Sequence, residues 1–151
     1  MEAVEISSNL TSAIGIAIFV GGTWCASSFL ISAMTGWLTL ARQFKSESQP
    51  YGDSKTAGPF FYTVYMRLWS HYSCVIHLTA AADALYASVL FPFRIAHPPL
   101  RIPWNEIRVG RTKLFFLTYI VLTLGNEERI PMRISQRMAR NLGILDRCPV
   151  S

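Results

Sequence analysis

Residues 13–34 read AIGIAIFVGGTWCASSFLISAM, and the reading of this stretch decides the architecture of the chain. It lies inside a longer run, Ile6 to Ala41, that holds no Asp, Glu, Lys, Arg or His. A helix of 22 residues spans ~33 Å, enough to cross a hydrocarbon core of ~30 Å. An uncharged segment dissolved in lipid must satisfy its own backbone, which predicts a helix. Thr23, Ser27, Ser28 and Ser32 lower its hydropathy, but hydroxyls can bond back to a carbonyl one turn earlier. Two rivals exist. A signal peptide needs a basic start, whereas this one carries Glu2 and Glu5. A soluble hairpin would use the alternation Ile14, Ile16, Ile18, Val20 and a turn at Gly21-Gly22, but no charge marks a wet face.

Orientation follows from the flanks. All 14 basic residues lie after the segment, beginning with Arg42 and Lys45. The positive-inside rule then predicts a single-pass protein, N-terminus out and C-terminus in. Ala13, Ala17, Gly21 and Cys25 recur every four residues and form a small-residue ridge suited to close contact with a second membrane helix, as in a homodimer.

The whole chain is 151 residues long with 15% charged residues, too few for a coiled coil or a disordered chain. Three cysteines do not make a disulfide scaffold. Residues 1–12 are expected outside the cytoplasm, 13–41 as the membrane helix and its exit near Trp37, and 42–59 as a linker rich in Ser, Pro, Gly and Asp. Residues 60–147 are expected to form a cytoplasmic β-rich domain, and 148–151 a tail. Strands are predicted at Phe60–Leu68, Ser73–Thr79, Ala84–Phe93, Ile107–Val109, Lys113–Leu117, Thr118–Leu124 and Arg129–Ile134, with Ser70-His71 as a polar break and a turn at Gly125-Asn126. Ile134, Met138, Leu142 and Leu145 then repeat at helical spacing, with Ser135 as N-cap. Short connections point to antiparallel pairing. Six or seven strands closed by a C-terminal helix form a pleckstrin-homology-like barrel; an open antiparallel sheet covered by one helix is the alternative.

Residues 91–107, FPFRIAHPPLRIPWNEI, stand out. Pro98, Pro99 and Pro103 remove three backbone donors and exclude a central strand, predicting a rigid extended connection. Leu100 and Ile102 share a face and can enter the core, and Trp104 needs a partner for its indole N–H. Leu85-Tyr86-Ala87-Ser88-Val89-Leu90-Phe91-Pro92-Phe93-Arg94, followed by His97-Pro98-Pro99-Leu100-Arg101-Ile102-Pro103-Trp104, resembles the signature of a family of small uncharacterised bacterial membrane-anchored proteins. Gly36-Trp37 with Leu40-Ala41, and Met66-Arg67-Leu68, fit the same pattern. Ala84 and Arg101 depart from it, where Gly and an apolar residue are usual. The resemblance implies a protein anchored in the bacterial inner membrane and no assigned chemistry.

No catalytic signature is present. His71, Cys74 and His77 do not converge on a strand, where His71 and His77 stand ~20 Å apart, and zinc needs three or four ligands. Ser88 has no glycine elbow, and no phosphate loop occurs. The expectation is therefore no metal, no cofactor and no enzyme. The basic residues carry more signal. Residues 42–151 hold 14 basic and 7 acidic groups, a net charge of +7. Arg94, Arg101, Arg108, Arg111 and Lys113 cluster within 20 residues, with Glu106 the one acid among them. A basic domain tethered beside anionic lipid gains roughly 1 kcal/mol per basic residue held at the surface. These five are the expected contacts with the bilayer or a protein partner, presented by a loop that His97, the prolines and Trp104 stiffen. Nucleic acid is not an expected partner, because of the tether and the low Lys content. A structural subunit of a larger membrane complex and an unrecognised membrane-proximal enzyme are the competing readings.

Overall fold

A computed structural model describes residues 2–48, 50, 52–58, 62–67, 70–114 and 116–148. Helix α1 runs unbroken from Glu2 to Thr35 and α2 from Trp37 to Phe44. The predicted span is thus one helix, and Gly21-Gly22 do not turn the chain. Asn9–Thr35 is long and apolar enough to cross a membrane, and its side chains are almost all exposed. Between α1 and α2 sits Gly36 at φ 84°. A Cβ there would lie 2.7 Å from the Ile130 side chain and 3.1 Å from the Arg67 guanidinium. The backbone needs the left-handed region and has no room, so glycine is required on both counts.

Among the described residues nine strands follow: β1 (Lys55–Ala57), β2 (Thr63–Met66), β3 (Ser70–Ser73), β4 (Ile76–Ala80), β5 (Ala84–Val89), β6 (Leu100–Pro103), β7 (Ile107–Leu114), β8 (Leu117–Leu124) and β9 (Ile130–Ser135). They form two antiparallel sheets, ordered β1-β4-β5-β6 and β3-β2-β9-β8-β7. Both sheets are open, so the closed barrel is replaced by the open arrangement. A period-two pattern fixes which face of each strand is buried, but it carries no information on closure. Ile76, Leu78 and Ala80 from one sheet and Ile120, Leu122 and Leu124 from the other meet in a single core. Short helices α3 (Gln136–Asn141) and α4 (Ile144–Arg147) cover it with Met138, Ala139, Leu142 and Ile144. Ser135 caps α3 by accepting from the Met138 N–H at 3.2 Å, as its position predicts. Gly143, at φ 65°, separates the two helices.

Several boundaries differ from the sequence reading. Lys55–Ala57 lies in the stretch read as linker, yet pairs with Leu78–Ala80 of β4. Trp37 and Leu40, read as the helix leaving the membrane, are core residues. Ser70-His71, read as a break, begins β3, and the turn comes instead at Cys74, where φ is 60°. β7 passes Gly110 without interruption. Leu100–Pro103 pairs with Ala84–Ala87 as an edge strand rather than a bare connection, and Leu100 and Ile102 enter the core as expected. The predicted strand from Phe60 to Leu68 is a strand at Thr63–Met66; Phe60, Phe61 and Leu68 lie outside the described residues, as does the tail beyond Cys148.

Candidate functional site

The last turns of α1 are built into the β-domain. Ser28, Ser32 and Thr35 repeat at i, i+4 and i+7, so they share one face, and all three are buried by protein. The Ser32 hydroxyl donates to the Ala96 carbonyl at 2.6 Å rather than back along its own helix. Thr23, higher up and exposed, does bond back, to the Phe19 carbonyl at 2.8 Å. The Trp37 indole N–H donates to the Pro98 carbonyl at 2.9 Å, and the Ser46 N–H donates to the Pro99 carbonyl at 3.0 Å. Prolines at 98 and 99 have carbonyls free of any strand ladder, and both are used to hold the helix exit.

His97 lies at the centre of this junction, 2% exposed. Its Nδ1 is 3.0 Å from the Phe93 carbonyl, an acceptor only, so Nδ1 carries the proton. Its Nε2 is 2.9 Å from the Tyr72 hydroxyl, whose oxygen is in turn 2.9 Å from Thr35 Oγ1. A neutral His97 accepts from Tyr72, which accepts from Thr35. A protonated His97 donates to Tyr72, and each hydroxyl turns round, the Thr35 proton going to the Ser32 carbonyl 3.3 Å away. Burial pushes the His97 pKa below its ordinary value, partly opposed by the bond to the Phe93 carbonyl. Burial also pushes the Tyr72 phenol up to about 12, against the bond from Thr35. The junction is therefore a neutral imidazole and a neutral phenol at pH 7; Trp37 meets the His97 ring edge-on at a centroid distance of 5.5 Å and the Tyr72 ring at a tilt at 6.1 Å.

Two depressions flank the junction. One of about 300 Å³, mostly apolar, is lined by Ser28, Ile31, Tyr72, Val75, Phe93 and His97, so it lies between α1 and β3. The other, of about 360 Å³, is polar, and brings Glu47, His77, Tyr86, Ser88 and Arg94 to one opening. Among the described residues no three His, Cys, Asp or Glu side chains come close enough to share a metal ion.

The five basic residues of the predicted contact set occupy three places. Arg94 is exposed in the 3-10 turn Phe93–Ala96, which packs along α1. Arg101 on β6 is engaged by Asp83, with Nη2 2.8 Å and Nε 3.0 Å from one carboxylate oxygen. Burial alone would raise the Asp83 pKa; hydrogen bonds from Arg101, its own backbone and Tyr86 together outweigh this and hold it below the usual value. Arg108, Arg111 and Lys113 are exposed along β7. Strand alternation puts Arg108 on the opposite face from Arg111 and Lys113, which lie near the β7–β8 hairpin tip. At that tip Leu114, Phe116 and Leu117 are also exposed.

The box residues have structural partners. The Trp104 indole donates to the Ala81 carbonyl at 3.0 Å, and Arg147 of α4 donates to that same carbonyl while lying 5.4 Å from the Trp104 ring centre. His97, Pro98 and Pro99 bind the helix exit. Pro103 ends β6 opposite Ala84. Ala13, Ala17, Gly21 and Cys25 are exposed along α1, and nothing lies within 4 Å of a Cβ built at Gly21. Sequence reasoning missed Ser32, Thr35 and Tyr72. The signal available was the heptad spacing of Ser28, Ser32 and Thr35 on an otherwise apolar rod. No family model matches the chain, and no curated protein matches it either.

Proposed function

We propose that this chain is a single-pass protein of the bacterial inner membrane, N-terminus out, whose cytoplasmic β-domain is a non-catalytic binding module seated on the anionic membrane surface. One observation carries the reading. The apolar helix ends inside the domain, fastened through Ser32, Thr35 and Trp37, so a helix that crosses lipid holds the domain against the bilayer. A cleaved signal peptide would have no use for this docking. The resemblance of the 85–104 box to small bacterial membrane-anchored proteins supports the same placement. The order of strands followed by closing C-terminal helices supports a pleckstrin-homology-like module built open.

Arg94, Arg108, Arg111 and Lys113 are the contacts in this reading; Arg101 is committed to Asp83 and drops to a supporting role. The test uses the full chain reconstituted in nanodiscs of neutral or anionic lipid. Backbone hydrogen exchange around residues 94 and 108–113 is expected to slow in anionic lipid. The variant Arg94→Glu, Arg108→Glu, Arg111→Glu should lose that difference. Exchange independent of lipid charge in the unaltered protein discards the lipid version. A reporter fused after Ser151 that works only outside the cytoplasm discards the orientation.

A second reading, a subunit of a larger membrane complex, is favoured by the exposed apolar tip at Leu114, Phe116 and Leu117 together with the open ridge on α1. Detergent-solubilised full-length protein running only as a monomer counts against it.

A further inference from the structure

We infer that the segment Leu90–Ile95 is a second membrane element, an apolar wedge that enters the lipid interface beside α1. The inference rests on the spanning role proposed for α1 and adds a site to it. Phe91 is 79% exposed, Ile95 59% and Leu90 36%, three large apolar side chains within six residues. Their depth can be read from the helix they accompany. Twenty residues, about 30 Å of helix, cover a hydrocarbon core, and twenty counted from Asn9 end at Ser28, where protein begins to bury α1. Trp24 then lies one turn inside the hydrocarbon boundary. The Phe93 ring packs on Trp24 with centroids 5.0 Å apart, so the segment reaches that level. Sliding the span one turn toward the N-terminus leaves Trp24 at the headgroup boundary, the depth tryptophan favours.

The backbone of the segment is suited to such a place. Lipid tolerates a non-helical chain only where its polar groups are satisfied within the protein. The Leu90 N–H donates to the Val75 carbonyl at 2.9 Å, the Phe93 N–H to the Leu90 carbonyl at 2.9 Å, and the His97 N–H to the Arg94 carbonyl at 3.1 Å. Pro92 has no N–H to satisfy. Arg94 sits between the apolar residues and opens toward the polar depression, a placement that lets a long side chain meet lipid phosphate while its neighbours sink. Ile31 of α1, itself exposed, lines the same apolar depression as Phe93. The occupant is therefore the bilayer itself.

The test places benzoylphenylalanine, a Phe that carries a photoreactive ketone, singly at positions 91, 95, 18 and 126 of the full chain in liposomes. Irradiation and mass spectrometry then read lipid adducts. Adducts at 91 and 95 with yields comparable to position 18, and none at the Asn126 turn, are expected. Adducts at 18 without any at 91 or 95 overturn the wedge and leave the spanning helix standing. No adduct at 18 overturns the spanning role, and the wedge falls with it. A variant that fails to reconstitute is replaced by Phe91→Trp in brominated lipid. There, added quenching over the unaltered protein supports the wedge, and its absence overturns it.

Discussion

The Nε2 atom of His97 lies 2.9 Å from the hydroxyl oxygen of Tyr72, and this contact joins the β-domain to the helix through Thr35. Both rings are buried, and every buried side-chain nitrogen and oxygen among the described residues has a partner. Removing one hydroxyl from such a chain strands its neighbours. Tyr72→Phe leaves His97 Nε2 and Thr35 Oγ1 each with one partner fewer, a cost of about 1–3 kcal/mol. A lower thermal midpoint in detergent, with the far-ultraviolet spectrum unchanged, is the expected readout.

The same histidine makes stability depend on pH. Its pKa in the folded protein is lowered from the ordinary value of 6.5, so between these two values the unfolded chain binds a proton that the folded one does not. Stability then rises with pH across that window, is complete above about 6.5, and is lost on acidification. Thermal midpoints measured from pH 7.5 down to 5 should fall more steeply for the unaltered protein than for His97→Gln. Equal slopes would remove His97 from the pH response.

Trp37 fills the core and donates to Pro98 at once. Trp37→Ala removes a fully buried aromatic, for which about 3–5 kcal/mol is expected. Limited proteolysis should then cut near residues 42–50 faster, because the helix exit loses its hold.

Gly36 holds a left-handed backbone against Ile130. Gly36→Ala forces a non-glycine residue into that region, costing about 1–3 kcal/mol before the contact with Ile130 is relieved. The unfolding temperature should drop, and Ile130→Val should recover part of the loss by shortening the side chain that Ala meets.

Arg101 and Asp83 give the contrasting case. The pair is about two-fifths exposed on each side, where ion pairs contribute little. Asp83→Asn should hardly move the thermal midpoint, although it frees Arg101 for other contacts.

The membrane-length helix was legible because 36 residues pass without a charge. Ser135 and the spacing of Met138 and Leu142 were legible because caps and helical faces are local. Leu100 and Ile102 were placed by strand alternation alone. The docking of α1 was not legible, because Trp37 meets Pro98 across 61 positions and Ser32 meets Ala96 across 64, and no local pattern encodes such pairs. Hydroxyls on an apolar helix read equally well as back-bonded, as Thr23 is, or as protein contacts, as Ser32 is. Strand β1 was hidden in a polar stretch whose Lys and Thr face outward, with Ala57 its one inward side chain. The scatter of the basic residues followed from strand parity and from the hold of Asp83 on Arg101, an acid 18 positions upstream.

Because helix and domain meet without a slack tether, they turn as one lever. A bilayer that thins or thickens changes the lean of a hydrophobic rod, since mismatch is relieved partly by tilt. In the spanning role proposed for α1, such a lean would pass through Ser32, Thr35 and Trp37 to the whole β-domain. Under that proposal a change in lipid thickness would change the heading of the β-sheets.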